Sequence, residues 1–202
     1  MMENTFEKLL NIKTSGKQNL EEATLHYNRY EPTSYIALET LLLNYEIKET
    51  DNIIDFGCGK GRLNFYLSYK TNANVLGIEM NHFFYDNSLA NKKSFLKNHK
   101  KDKNKINFLN TMAQDYSIEK DDNKFYFFNP FSVQIFSTII NNILLSVEEN
   151  PRTVDLILYY PSDDYIYYLE NNTAFYLEKE IRVPLLDKND FRQIFSIYRY
   201  LS

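Results

Sequence analysis

Residues 52–62, Asn-Ile-Ile-Asp-Phe-Gly-Cys-Gly-Lys-Gly-Arg, join an apolar run to an acid, Asp55, and to three glycines at alternate positions, Gly57, Gly59 and Gly61. A strand ending in an acid, then a turn without side chains, then a helix lets main chain approach a nucleotide-like ligand. The free N–H groups at the start of such a helix suit an anion. Downstream, Asn74-Val75-Leu76-Gly77-Ile78-Glu79 ends in a second acid, whose two oxygens can accept a pair of hydroxyls. A third polar cluster, Asn129-Pro130-Phe131-Ser132, closes an aromatic run over 125–128.

Bringing these segments to one edge requires a sheet, and the pattern of the chain supplies one. Strands are predicted at 52–56, 74–79, 105–109, 124–128 and 153–159, and helices at 61–70, 82–98 and 132–148. In the last helix, Val133, Phe136, Ile139, Ile140, Ile143, Leu144 and Val147 recur at helical spacing. A short helix is expected at 163–170. Such alternation implies a parallel sheet covered on both faces. The tail differs, with two strands at 174–183 and 193–200 and no helix between them. The expected fold is therefore α/β and doubly wound: a mostly parallel seven-stranded sheet with helices on both faces and a C-terminal antiparallel pair. A helical lead-in precedes it. Its parts are a short helix at 3–12, a break at Thr14-Ser15-Gly16, and a helix start at Asn19 with Glu22 leading into 20–30. Pro32 interrupts, and Tyr35, Leu38, Leu42 and Tyr45 form a further helical stripe. We expect residues 1–50 to be an extension and 51–202 the ligand-binding domain.

Composition narrows the function classes. The 202 residues suit one domain, and 17 Tyr and 15 Phe with no Trp predict an unusually aromatic core. A net charge of −4 argues against a generally basic nucleic-acid surface. Cys58 is the single cysteine, so no internal disulfide forms, and His26, His82 and His99 are too scattered to suggest a metal site. No apolar stretch approaches the roughly 18 residues that span a bilayer, and the N-terminus lacks signal-peptide features. The expectation is a cytoplasmic protein without membrane or metal partners. The basic run within 92–105 is a local hint of a polyanion partner; a solvated helix end explains it as well.

The spacing Asp55-x-Gly57-x-Gly59-x-Gly61 departs from the dinucleotide pattern Gly-x-Gly-x-x-Gly, whose sixth position is here Arg62. It resembles the first motif of the class I S-adenosylmethionine-dependent methyltransferases. The resemblance implies S-adenosyl-L-methionine as cofactor. Its amino-acid end would lie on Gly57 and Gly59, its ammonium by Asp55, its carboxylate at the helix start near Gly61, and its ribose on Glu79. Cys58 then fills space beneath the cofactor, while Lys60 and Arg62 are surface or carboxylate-neighbouring cations. Where the family usually has an acid near the adenine, this chain has Met112, so adenine would rest on Met112 and the Ala113 main chain, with Asp115 a weaker candidate.

The cluster at 129–132 partly resembles the Asn-Pro-Pro-Tyr motif of amino-group methyltransferases, with Phe131 for the second Pro and Ser132 for the aromatic. On that resemblance Asn129 and the Pro130 carbonyl would hold an acceptor nitrogen, and Phe131 would attract developing positive charge. Catalysis would be placement, without a covalent enzyme intermediate. A plain strand end is the alternative. In the lead-in, Tyr30 and Thr33 are candidate cofactor contacts and Tyr27 a candidate substrate contact; the alternative is a turn between two helices with Thr33 or Ser34 as cap. Tyr160, ending the fifth strand, could line an acceptor pocket or simply turn the chain. The expected function is methyl transfer to a nitrogen of a small molecule or protein. The alternatives are an RNA or DNA methyltransferase and a degenerate domain that binds the cofactor as sensor or scaffold, with a dehydrogenase a distant fourth.

Overall fold

The alternation of apolar strands and amphipathic helices folds as one twisted sheet. The computed structural model describes residues 2–15, 31–100, 104–184 and 190–202. Its strands are β1 (Asn52–Phe56), β2 (Asn74–Ile78), β3 (Ile106–Leu109), β4 (Lys124–Phe127), β5 (Val154–Tyr159), β6 (Tyr176–Arg182) and β7 (Ile194–Tyr200), in the order β3-β2-β1-β4-β5-β7-β6. The first five are mutually parallel, and β7 runs antiparallel between β5 and β6. Strand order therefore reverses between β1 and β4, the place where sheets of this kind bind ligands at the carboxyl edge. β6 forms the outer edge, where mostly exposed charged residues and a register shift between Leu177 and Lys179 discourage further pairing.

Helices α1 (Met2–Leu10), α2 (Tyr35–Asn44), α3 (Arg62–Thr71) and α4 (His82–Phe95) contribute to one core, and α5 (Val133–Glu149) and α6 (Asp163–Asn172) to the other. Strand alternation sorts the sheet between them. Ile53, Val75, Tyr126 and Ile157 face the first group, and Ile54, Phe56, Phe125, Phe127 and Leu156 the second. On α5 the buried apolar residues are Phe136, Ile139, Ile140, Ile143 and Val147, most of the expected stripe. Phe136 stacks on Tyr165 of α6 at a centroid distance of 3.7 Å. Such a pair contributes about 0.5–1.5 kcal/mol beyond its buried area.

Helix starts follow local chemistry. Ser34 caps α2 through Ala37 N–H, Asn81 caps α4 through Phe83 and Phe84 N–H, and Ser162 caps α6 through Tyr165 N–H. Two expectations shift. The fourth helix ends at Phe95 rather than 98, because Lys97 and Asn98 donate three residues back, to Ser94 O and Phe95 O, instead of four. Tyr45 lies just beyond α2 in extended conformation, where its hydroxyl reaches Asp155 and Lys124. The helix start expected at Asn19–Glu22 lies outside the described residues. Among the described residues no helix is long and apolar enough to cross a membrane.

Candidate active site

The glycine turn after β1 curls over β2. Gly57 N–H and Cys58 N–H both donate to Ile78 O, at 2.9 and 3.1 Å. Gly57, Gly59 and Gly61 all have positive φ, +80°, +55° and +84°, which a side chain would disfavour. At Gly57 there is also no room: a Cβ would stand 2.9 Å from Pro130 Cβ. Gly59 N–H donates to Glu79 Oε2 at 2.8 Å, and Glu79 Oε1 accepts from Asn81 N–H at 2.8 Å. The acid ending β2 is thus fixed against the turn at one oxygen and against the start of α4 at the other. Burial pushes the Glu79 carboxyl upward, against the N–H groups of Asn81, Gly59 and Met80.

Asp55 lies beneath the turn. With its amide nitrogen facing Asp55, Asn64 of α3 donates to Asp55 Oδ2 at 2.9 Å and accepts Gly77 N–H at 3.2 Å. Gly77 makes this possible, since a Cβ there would meet Cys58 Sγ at 2.6 Å and Phe108 at 2.7 Å. Burial, reinforced by the Glu79 charge, raises the Asp55 carboxyl well above its ordinary range. Cys58 is buried beside Gly77, its thiol pushed well up by burial and then by Asp55 and Glu79. It is a packing group held as the thiol, unsuited to nucleophilic attack. Two buried acids at one turn favour a ligand carrying positive charge.

Around the far side of Glu79, Asn110 Nδ2 donates to Glu79 O at 2.7 Å and Met80 O at 3.1 Å. Met112 is half exposed at the start of the short turn Ala113–Asp115, with Ala113 buried behind it and Asp115 exposed. Met80 and Phe83 are exposed near the same end of β2, so this rim is apolar.

At the β4–β5 edge two non-glycine residues have positive φ, Asn129 at +43° and Tyr160 at +53°. Asn visits this region readily, whereas an aromatic residue there is strained, a feature that clusters at functional sites. The Phe131 main chain is held from both sides by the Tyr165 hydroxyl, which accepts Phe131 N–H at 3.1 Å and donates to Phe131 O at 2.7 Å. The Phe131 ring is buried in the core beneath α5, its tip 3.8 Å from where a Gly57 Cβ would stand. Phe128 lies over Tyr159 at 4.7 Å and edge-on to Tyr160 at 6.4 Å. The Tyr160 hydroxyl donates to Asp190 Oδ2 at 2.8 Å, and the Arg192 guanidinium covers its ring at 4.4 Å.

Of the lead-in candidates, Thr33 is buried with Oγ1 2.7 Å from the Tyr126 hydroxyl, and Tyr126 pairs in register with Asp55. Tyr27 and Tyr30 lie outside the described residues. Arg62 is buried between Glu3 and Glu7, a carboxylate neighbour and not a surface cation. Among the described residues no group of three or more His, Cys, Asp and Glu could hold a metal ion. Asn64, Asn110 and Tyr126 carry the site's support and have no signature in the sequence beyond being polar groups in otherwise apolar surroundings.

Sheet order, the reversal between β1 and β4, and the glycine turn with its two acids define the class I S-adenosylmethionine-dependent methyltransferase fold. The sequence profile of a methyltransferase domain family matches residues 34–157, more than half of the chain, and the chain belongs to that family. No match is found among curated proteins. Similar solved structures include a human methyltransferase 10 domain containing protein, 12% identical with a TM-score of 0.65, covering 99% of this chain and 94% of that one. A putative RNA methyltransferase from Pyrococcus horikoshii is 17% identical with a TM-score of 0.56, covering 99% and 98%. An RNA methyltransferase from Salinibacter ruber in complex with S-adenosyl-L-homocysteine is 13% identical with a TM-score of 0.54, covering 85% and 92%.

Proposed function

We propose that this chain seats S-adenosylmethionine on residues 57–61 and methylates a nitrogen presented at the β4–β5 edge. The observation that carries the reading is the Gly59 N–H to Glu79 Oε2 bond, which joins the turn to the acid expected to hold the ribose. After accepting Gly59 N–H and Asn81 N–H, the two Glu79 oxygens together retain lone pairs for the ribose hydroxyls. Asp55 faces the ligand's ammonium, directly or through water, and the start of α3 receives the carboxylate. Met112 and the Ala113 main chain bound the adenine, with Met80 and Phe83 extending that apolar rim. Bound there, S-adenosylmethionine supplies a sulfonium methyl for transfer, leaving S-adenosylhomocysteine.

On the acceptor side, the Asn129 side chain and the Pro130 carbonyl accept hydrogen bonds from the target nitrogen and orient its lone pair. Asn129 is suited to this because its positive φ redirects the chain directly after β4, beside Gly57. Tyr165 fixes the following main chain, and Phe131 packs beneath the site. Phe128 and Tyr160 form an aromatic wall against a planar acceptor.

A small molecule or a protein amino group is the acceptor this reading favours. A second reading, an RNA acceptor, draws on the exposed Arg192 guanidinium at the same edge and on the RNA methyltransferases among the similar folds. Incubation with methyl-labelled S-adenosylmethionine and a fractionated cell extract tests both. Label in protein or small-molecule fractions supports the first, and ribonuclease-sensitive label the second. No incorporation in any fraction, with the donor demonstrably bound, overturns the assignment of the transfer site.

A further inference from the structure

One buried side chain ties the start of α3 to the N-terminus. All five N–H groups of Arg62 are engaged. Nε donates to Thr14 Oγ1 at 2.7 Å, Nη1 to Glu3 Oε2 at 2.5 Å and Thr33 O at 3.3 Å, and Nη2 to Glu7 Oε1 at 3.3 Å and Ser15 Oγ at 3.2 Å. The guanidinium also lies 4.7 Å over the Tyr35 ring. Glu7 in turn receives Thr14 N–H at 2.9 Å and the Thr14 hydroxyl, so the acids and the hydroxyls brace one another.

A second tie runs beside the first. Asn91 of α4 accepts Lys13 N–H at 2.9 Å and donates through Nδ2 to Lys13 O and Lys60 O, each at 3.1 Å. Lys60 belongs to the glycine turn itself. Residues 13–15 are therefore bonded to the turn through Asn91 and to the first residue of α3 through Arg62. The same guanidinium holds the Thr33 carbonyl, while the Thr33 hydroxyl meets Tyr126, the strand neighbour of Asp55. A planar five-donor fork with partners on three chain segments permits little displacement of any of them.

We propose that Arg62, assisted by Asn91, is a positioning residue for the methyl donor: the acids of α1 fix its guanidinium, which fixes both the glycine turn and Thr33. Donor affinity is thereby set by residues that do not touch the donor. The inference rests on the reading that the donor lies on residues 57–61.

The test compares Arg62→Lys, Glu3→Gln and Asn91→Ala with the wild-type chain and with Gly59→Val. S-adenosylhomocysteine affinity is measured by titration calorimetry, steady-state kinetics at varied donor give KM and kcat, and circular dichroism confirms folding. Arg62→Lys keeps the charge but cannot make the planar fork, and is expected to weaken binding roughly 10-fold, about 1.4 kcal/mol. Glu3→Gln alters a partly exposed acid and is expected to weaken binding by about 2- to 5-fold with the fold intact. In both, donor KM rises by a larger factor than kcat falls. Wild-type affinity in folded Arg62→Lys overturns the proposal. Where Arg62→Lys fails to fold, Glu3→Gln decides, and a lower melting temperature with unchanged affinity and KM overturns it. If the wild-type chain binds no S-adenosylhomocysteine and Gly59→Val behaves identically, the donor-site reading itself has failed and this inference falls with it.

Discussion

Asp55 is a buried carboxylate whose direct partner is the neutral Asn64 amide. Its folded pKa is raised, by burial first and then by Glu79. An acid of this kind binds its proton more readily folded than unfolded, so the ligand-free protein loses stability as pH rises from the ordinary Asp range through the raised value. Asp55→Asn is accordingly expected to raise the melting temperature of the ligand-free protein at neutral pH, by about 2–4 °C per kcal/mol relieved, while weakening donor binding. Thermal melts with and without S-adenosylhomocysteine check both signs. Glu79 is raised too, so donor binding should weaken as pH falls through its folded pKa and the carboxylate is lost. Gly57→Ala should be worse than its one methyl suggests, because positive φ and the Pro130 contact both oppose it; we expect a loss of about 1–3 kcal/mol in stability and displacement of Asn129-Pro130 from the acceptor edge. Asp55, Glu79 and the glycines were legible because a strand ending in an acid, a glycine turn and a helix have a fixed spacing in the chain. Asn64 and Asn110 were not, because an asparagine's role depends on which strand its helix or loop crosses.

Strands and crossing helices could be read almost to their ends, since alternation by two and by 3.6 is enforced by burial along each element. Tyr45 escaped that logic: it continues the stripe of α2 by spacing, yet leaves the helix to meet a polar row at the opposite end of the sheet from the site. There Lys124, Asp155 and Arg199 are register neighbours on β4, β5 and β7. Lys124 Nζ lies 3.1 Å from Asp155 Oδ2, and Arg199 donates to both Asp155 oxygens at 2.7 and 3.0 Å. Burial pushes the Asp155 carboxyl up, but the hydrogen bonds from Arg199 and Tyr45 and the Lys124 charge outweigh it and leave the pKa lowered. A depressed acid stabilises the fold above its unfolded pKa, and that contribution is lost as pH falls through the folded value. Asp155→Asn removes the carboxylate that Lys124 and Arg199 share, leaving Lys124 with Asp51 at 3.7 Å and Arg199 with Glu178 at 2.8 Å, and should cost about 1–3 kcal/mol, with donor affinity unchanged, because the row lies at the amino end of the parallel strands. Chemical denaturation and calorimetry on the same variant separate the two effects.

The division expected between a lead-in and a ligand-binding domain bears on the protein as a unit. Leu10 of α1 and Tyr35, Ala37, Leu38 and Leu41 of α2 share a core cluster with Ile53, Tyr126 and Ile157 of the sheet. We propose that α1 and α2 fold with the remainder, so that removing residues 1–15 lowers stability and donor affinity together. Sequence reading could not show this, since Arg62, the shared partner of Glu3, Glu7 and Thr14, lies 48 to 59 residues away in the chain. The proposed acceptor edge was least legible of all: Tyr160 is a candidate by sequence, but Phe128 and Arg192 join it only when β4 and the segment before β7 reach the same edge. The central claim, a donor held between the glycine turn and Glu79, is tested most directly by calorimetric titration of S-adenosylhomocysteine into the wild-type chain and Glu79→Ala. One site per wild-type chain, weakened about 100-fold or more in the variant by loss of two charge-assisted hydrogen bonds, is the result expected. Equal affinity in a folded Glu79→Ala protein would contradict the account.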